Sequence, residues 1–193
     1  MNKIKELIAK KDWDVLISLY SVKDICLSLD FIQTMRVIKH LFYDNIQDDE
    51  KQQYALNLAF EAKNHFDKEW QSDWKNEVFL GGLCDMQRLY DERYFCYKRA
   101  YDKLKDPPAE LLLLLFSCYI APGTPPITQD ESEFYLKKAV EKKITSEAAL
   151  AMRGFYRYKK GGLQEEEYWD RMYKKLENEN VHFEAIVPDV LKI

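Results

Sequence analysis

At 193 residues the chain can bury roughly 70% of the surface its unfolded form exposes, so its stability needs no disulfide or metal staple. Hydrophobic residues at 47% and charged residues at 32% argue against wholesale disorder and against a membrane protein, and six Gly with six Pro are too few for a fold made of tight β-turns. A net charge of −4 lacks the concentrated positive field that phosphate-backbone binding requires, so no nucleic-acid partner is expected.

Cys26, Cys84, Cys96 and Cys118 have neither CxxC nor Cys/His metal spacing, and each lies in an apolar helical segment; buried free thiols in a reducing cytoplasm are expected. The opening Met1 to Glu6 runs into an amphipathic pattern with no signal-peptide core. Leu111 to Leu115, the most apolar run, is far short of the ~20 residues a membrane span requires. A cytoplasmic protein with no membrane partner follows as the expectation.

In chain order, Ile4, Leu7, Ile8 and Lys11 keep helical spacing behind Asn2, and Asp12 stands where it can cap a short helix carrying Val15, Leu16 and Leu19. Ser21 with Asp24 begins another turn or two, and Asp30 caps a helix striped by Phe31, Met35, Ile38 and Phe42. The polar run Asp44 to Glu50 interrupts the pattern before a long helix predicted over about 51–70, with Ala55, Leu58, Ala59, Ala62 and Phe66 on its stripe. These irregular hairpins make residues 1–72 an N-terminal helical region.

Ser72 or Asp73 caps the next helix, apolar nearly all round from Trp74 to Cys84, and Asp91 opens its partner with Tyr94, Tyr97 and Tyr101 along one side. Asp106-Pro107-Pro108 reads as the cap and first turn of a helix carrying Leu111 to Phe116. The Pro-rich loop from Ala121 to Ile127 stops it, and Thr128 with Glu131 forms a capping box for the following helix. Thr145 or Ser146 starts a further helix to about Lys160, Gly161-Gly162 ends it, and Glu165 to Glu167 place negative charge at the start of the last one. The apolar tail, 179–193, is expected to fold back over the last hairpin as a cap.

One pattern recurs in this second part. Tyr97 to Lys103, Leu136 to Lys142 and Trp169 to Lys175 each place a bulky residue, two mostly basic ones, a small or flexible apolar residue, another apolar one and a charged pair, at intervals of 39 and 33 positions. Such periods indicate stacked helical hairpins. In the preceding helices Leu80-Gly81 with Cys84, Phe116-Ser117 with Tyr119, and Met152-Arg153 with Tyr156 occupy corresponding places. This placement resembles the tetratricopeptide and Sel1-like helical-repeat families over residues 74–177, with Arg153 and Met172 departing from the small residues usual there and the Pro-rich loop lengthening the second pair. The expected fold is all-α: stacked antiparallel helical hairpins over 73–178 forming a short TPR-like α-solenoid. The resemblance implies a surface that holds another protein or a peptide.

Catalytic and metal signatures are missing from the sequence. His40, His65 and His182 are isolated with no HExxH, and no GxSxG, P-loop, GxGxxG or Cys-His nucleophile pattern occurs. The expectation is a non-enzyme with no cofactor and no metal. Arg153, Arg157 and Lys160 fall on one helix face at i, i+4 and i+7 and can grip a partner carboxylate, with Tyr158 and Tyr90 as candidate aromatic contacts. Small size and acidic charge further fit an immunity protein or antitoxin that blocks a basic toxin by electrostatic complementarity. The alternative is a small-ligand-binding protein or enzyme with a helical cleft near His65, Trp70 and Trp74; a nucleic-acid adaptor would need Lys137, Lys138, Arg153, Arg157 and Lys160 to merge into one patch.

Overall fold

Every regular element among the described residues is a helix. The structure, a computed structural model, describes residues 3–45, 47–120, 122–142, 167–171 and 174. The chain divides into two compact units, Met1–Arg88 and Leu89–Ile193. The division falls between the two helices that the sequence spacing pairs as the first repeat hairpin.

The first unit comprises α1 (Lys3–Lys10), α2 (Trp13–Leu19), α3 (Val22–Ser28), α4 (Phe31–Tyr43), α5 (Asp49–His65), α6 (Asp67–Gln71) and α7 (Lys75–Met86). Its hub is α5, which packs against α2, α3, α4, α6 and α7. The sequence explains why. Ala55, Leu58, Ala59 and Ala62 form one stripe, while Gln52 and Leu56, one turn apart, widen the buried face beyond that of a surface helix. The alanines let neighbours approach closely, and each fully buried leucine contributes about 2 kcal/mol. Two polar ties fix the hub: Tyr54 Oη donates to Tyr20 O (2.7 Å), and Lys51 Nζ lies 2.7 Å from both Asp14 and the α5 cap Asp48. Hydrogen bonds to Asp14 and then Asp48 push the Lys51 ammonium pKa up to about 12.

The caps follow local chemistry. Ser21 and Asp24 form a full capping box at α3, and Asp30 Oδ1 accepts from Gln33 N–H at α4 (2.8 Å). Asp12 stands at the α2 cap, but its side chain makes no cap bond. At α7, Trp74 holds the cap position while Asp73 Oδ1 accepts from Lys75 N–H (2.9 Å).

The helix expected over about 51–70 is two. Phe66 leaves helical geometry (φ −111°, ψ 47°) and sets its ring edge-on to Phe31 at 5.8 Å. The chain then re-enters a helix at Asp67 and carries Trp70 into the interior. There the indole Nε1–H donates to Glu77 Oε1 (3.1 Å), and Lys63 Nζ lies 2.8 Å from the same carboxylate. Glu77 is 0% exposed, so its charge is held by an ion pair and hydrogen bonds in place of water.

In the second unit α8 (Tyr90–Asp102) and α10 (Gln129–Lys142) both pack on α9 (Ala109–Ser117), which passes into a 3-10 turn, Cys118–Ile120. Leu111, Leu112, Leu115 and Phe116 bury the α9 face. Helix α8 begins at Tyr90, ahead of Asp91, and α9 begins at Ala109 with Pro108 at its cap. Asp106, expected at that cap, instead accepts from Lys142. The capping box of α10 forms between Thr128 and Glu131. The bulky and small repeat positions Tyr97, Ala100, Leu136 and Ala139 are buried, as is Trp169 in the helical residues 167–171. Tyr101 meets Tyr135 edge-on at 5.5 Å, joining α8 to α10. The four cysteines are free and buried. No helix among the described residues is long and apolar enough to cross a membrane. The third repeat helix pair, apart from residues 167–171 and 174, and the tail 179–193 lie outside the described residues.

Candidate functional site

Arg153, Arg157, Tyr158 and Lys160 lie outside the described residues. Tyr90, the remaining candidate contact, is half-buried at the first position of α8, with the Arg93 guanidinium 5.4 Å from its ring centre. Arg93 is itself buried and donates through Nη2 to Ser117 O (3.2 Å) at the end of α9. Tyr90 is thereby tied into the packing of α8 on α9. Lys137 and Lys138 sit over the rings of Tyr168 and Phe134, at 4.6 and 4.4 Å.

The region of His65, Trp70 and Trp74 diverges. His65 is exposed, with its ring edge-on to Phe66 at 4.6 Å, whereas Trp70 is wholly buried on Glu77. Among the described residues no group of three or more His, Cys, Asp or Glu is placed to hold a metal ion.

Two concavities in the first unit do bring functional groups together. One is a shallow depression of about 520 Å³ lined by Asp30, Phe31 and Ile32 from the start of α4 and by Glu69, Ser72, Asp73 and Asn76 from the α6–α7 turn. The cap bond of Asp30 and the Asp73 bond to Lys75 N–H hold two of its carboxylates in place. Asn76 Nδ2 donates to Trp70 O (3.1 Å), fixing the turn. Ile32, in its lining, is 63% exposed. An exposed apolar side chain sharing a depression with three acids combines the apolar and polar groups from which contact sites are built.

The other is a deeper cleft of about 290 Å³ between α1 and α4. Helix α1 supplies Lys5, Ile8 and Ala9 at i, i+3 and i+4; α4 supplies Gln33, Arg36, Val37 and His40 at i, i+3, i+4 and i+7; Leu29 and Trp13 close it. Trp13, 6% exposed, stacks on His40 with ring centres 6.1 Å apart and planes 21° from parallel. His40 Nδ1 is 2.9 Å from Asp44, and Lys11 Nζ is 3.7 Å from the same carboxylate. The hydrogen bond to His40, with lesser help from the charges of His40 and Lys11, holds the Asp44 carboxyl below the usual range. Lys11 has a left-handed backbone (φ 54°), with Asp12 N–H bonded to Leu7 O (3.0 Å) and Lys11 N–H to Ile8 O (3.1 Å). That is a Schellman end to α1 with lysine in the position glycine usually takes.

Neither concavity was singled out from the sequence. The spacing of Gln33, Arg36, Val37 and His40, a polar face beside the buried stripe of α4, was the available signal for the cleft. Comparison with protein-family models, with curated proteins and with solved structures returned no match.

Proposed function

We propose that the chain is a non-catalytic cytoplasmic interaction protein that binds one protein partner through its helical surface. The observation that carries this reading is the exposed Ile32 sharing a depression with Asp30, Glu69 and Asp73. Leaving a large aliphatic side chain 63% exposed beside Phe31 gives a partner an apolar anchor point, and the acids that line the same depression select a basic surface. The partner is therefore a basic protein. In its more specific form the reading is an immunity protein or antitoxin covering a basic toxin. Burial of the repeated bulky and small positions of α8 and α10 supports the TPR-like helical-repeat arrangement as the scaffold, since those positions are the ones a stacked hairpin must bury.

Affinity capture of the tagged chain from its native cells at moderate salt, followed by calorimetry with the recovered protein, tests the reading. One stoichiometric basic partner is expected. Ile32→Asp should weaken its binding by about tenfold or more with the melting temperature unchanged, because Ile32 contributes little to the core. Full-strength binding by Ile32→Asp would place the contact elsewhere, and recovery of no protein partner would remove the reading. Loss of the partner's activity on binding separates an immunity protein from an adaptor.

A further inference from the structure

The cleft between α1 and α4 differs from the Ile32 depression in sign and in depth. Three permanent cations, Lys5, Lys11 and Arg36, line it together with His40, and no acidic residue does. Asp44, just outside, pairs with Lys11 and His40. No carboxylate among the described residues pairs with Lys5 or Arg36. Beneath these charges the floor is apolar, formed by Trp13, Leu29 and Val37.

We propose that this cleft binds a small amphiphilic anion: one aromatic ring or branched chain against Trp13, bearing a carboxylate or phosphate held by Lys5 and Arg36. Volume sets the size of the ligand. Drug-sized ligands occupy pockets of roughly 300–1,000 Å³, so about 290 Å³ accepts a single ring with one acidic group and excludes a dinucleotide. Charge sets its sign. Bringing like charges to one mouth costs energy that a bound anion relieves, and charge-assisted bonds to Arg36 and Lys5 form where the apolar floor excludes water from one side. The backbone at Lys11 is an independent observation. A non-glycine residue in left-handed geometry costs about 1 kcal/mol or more, yet the residue at this position of the cleft lining is a lysine. The site shares none of its lining residues with the Ile32 depression, so it stands or falls apart from the partner reading.

The test is titration of the full chain with phenylacetate and with phenyl phosphate, followed by calorimetry and by the indole N–H resonances of the tryptophans. Benzyl alcohol and inorganic phosphate are the controls. Saturable binding of an aryl anion with a Kd below about 1 mM, moving the Trp13 resonance, is expected, and whichever probe binds tighter identifies the acidic group. Arg36→Glu should weaken it by about tenfold or more. Lys11→Gly should weaken it as well while raising the ligand-free melting temperature by a few degrees, roughly, because the backbone strain is relieved. Equal binding of benzyl alcohol, unaltered affinity in Arg36→Glu, or no saturable shift up to about 10 mM of either aryl anion would overturn the proposal.

Discussion

Glu77 is the side chain on which the first unit most depends for polar order. It sits on α7 with no exposed surface, and it receives the Trp70 indole from α6 and the Lys63 ammonium from α5. Lys63 is 19% exposed, so the pair is shielded from water but not sealed. Glu77→Gln would keep a bond to Trp70 and leave the ammonium without its counter-charge. Removing one member of a buried pair costs about 3 kcal/mol or more, and we expect the urea midpoint to fall accordingly. A loss below about 1 kcal/mol would mean that water reaches Lys63 and that the pair is only a surface contact. The pairing could not be read from the sequence, which places Lys63 and Trp70 in one predicted helix and Glu77 in the next with no signal that joins the three.

Helix starts behave differently, because they are decided within four residues. Ser21 and Asp24 were legible as a start signal, and they close a complete capping box. Asp24 is held below its usual pKa first by the Ser21 hydroxyl and then by the Ser21 backbone N–H. Its contribution is therefore present above the unfolded-state value and disappears as pH falls through the folded-state value. Asp12 was an equally good cap by residue type, yet its side chain makes no cap bond. The two sites make a paired prediction: Ser21→Ala should cost about 1 kcal/mol, and Asp12→Ala close to nothing, in thermal unfolding at neutral pH. Equal losses would show that residue type at the cap, and not the observed bond, sets the energy. The break at Phe66 is the opposite case. Apolar spacing continues through it, and the interruption comes from its ring packing on Phe31, more than thirty positions earlier.

Across the chain as a whole, helices collect around α5 in the first unit and α9 in the second. The cysteines report on that packing. All four are buried without disulfides, and desolvation first, with Glu61 adding to it, pushes the Cys26 thiol up to about 12. Because the thiolate is the nucleophile, a native chain at about pH 8 should react with a thiol-selective reagent only on the timescale of unfolding. Full and rapid labelling should follow denaturation. Fast labelling of any one thiol in the native protein would identify an opening in the packing at that position.

Helix class, part of the buried faces of α4 and α5, the helix start at Ser21, the capping box at Thr128 and the free state of the thiols were all readable from residue order. Each depends on neighbours within about one or two helical turns, where backbone geometry fixes the distances. The acid-lined Ile32 depression and the cationic Trp13 cleft were not readable, because each is assembled from segments separated by a loop or more. Whether a charge is compensated, and whether a hollow stays open, depends on distances between those segments. Only the packed chain sets these distances.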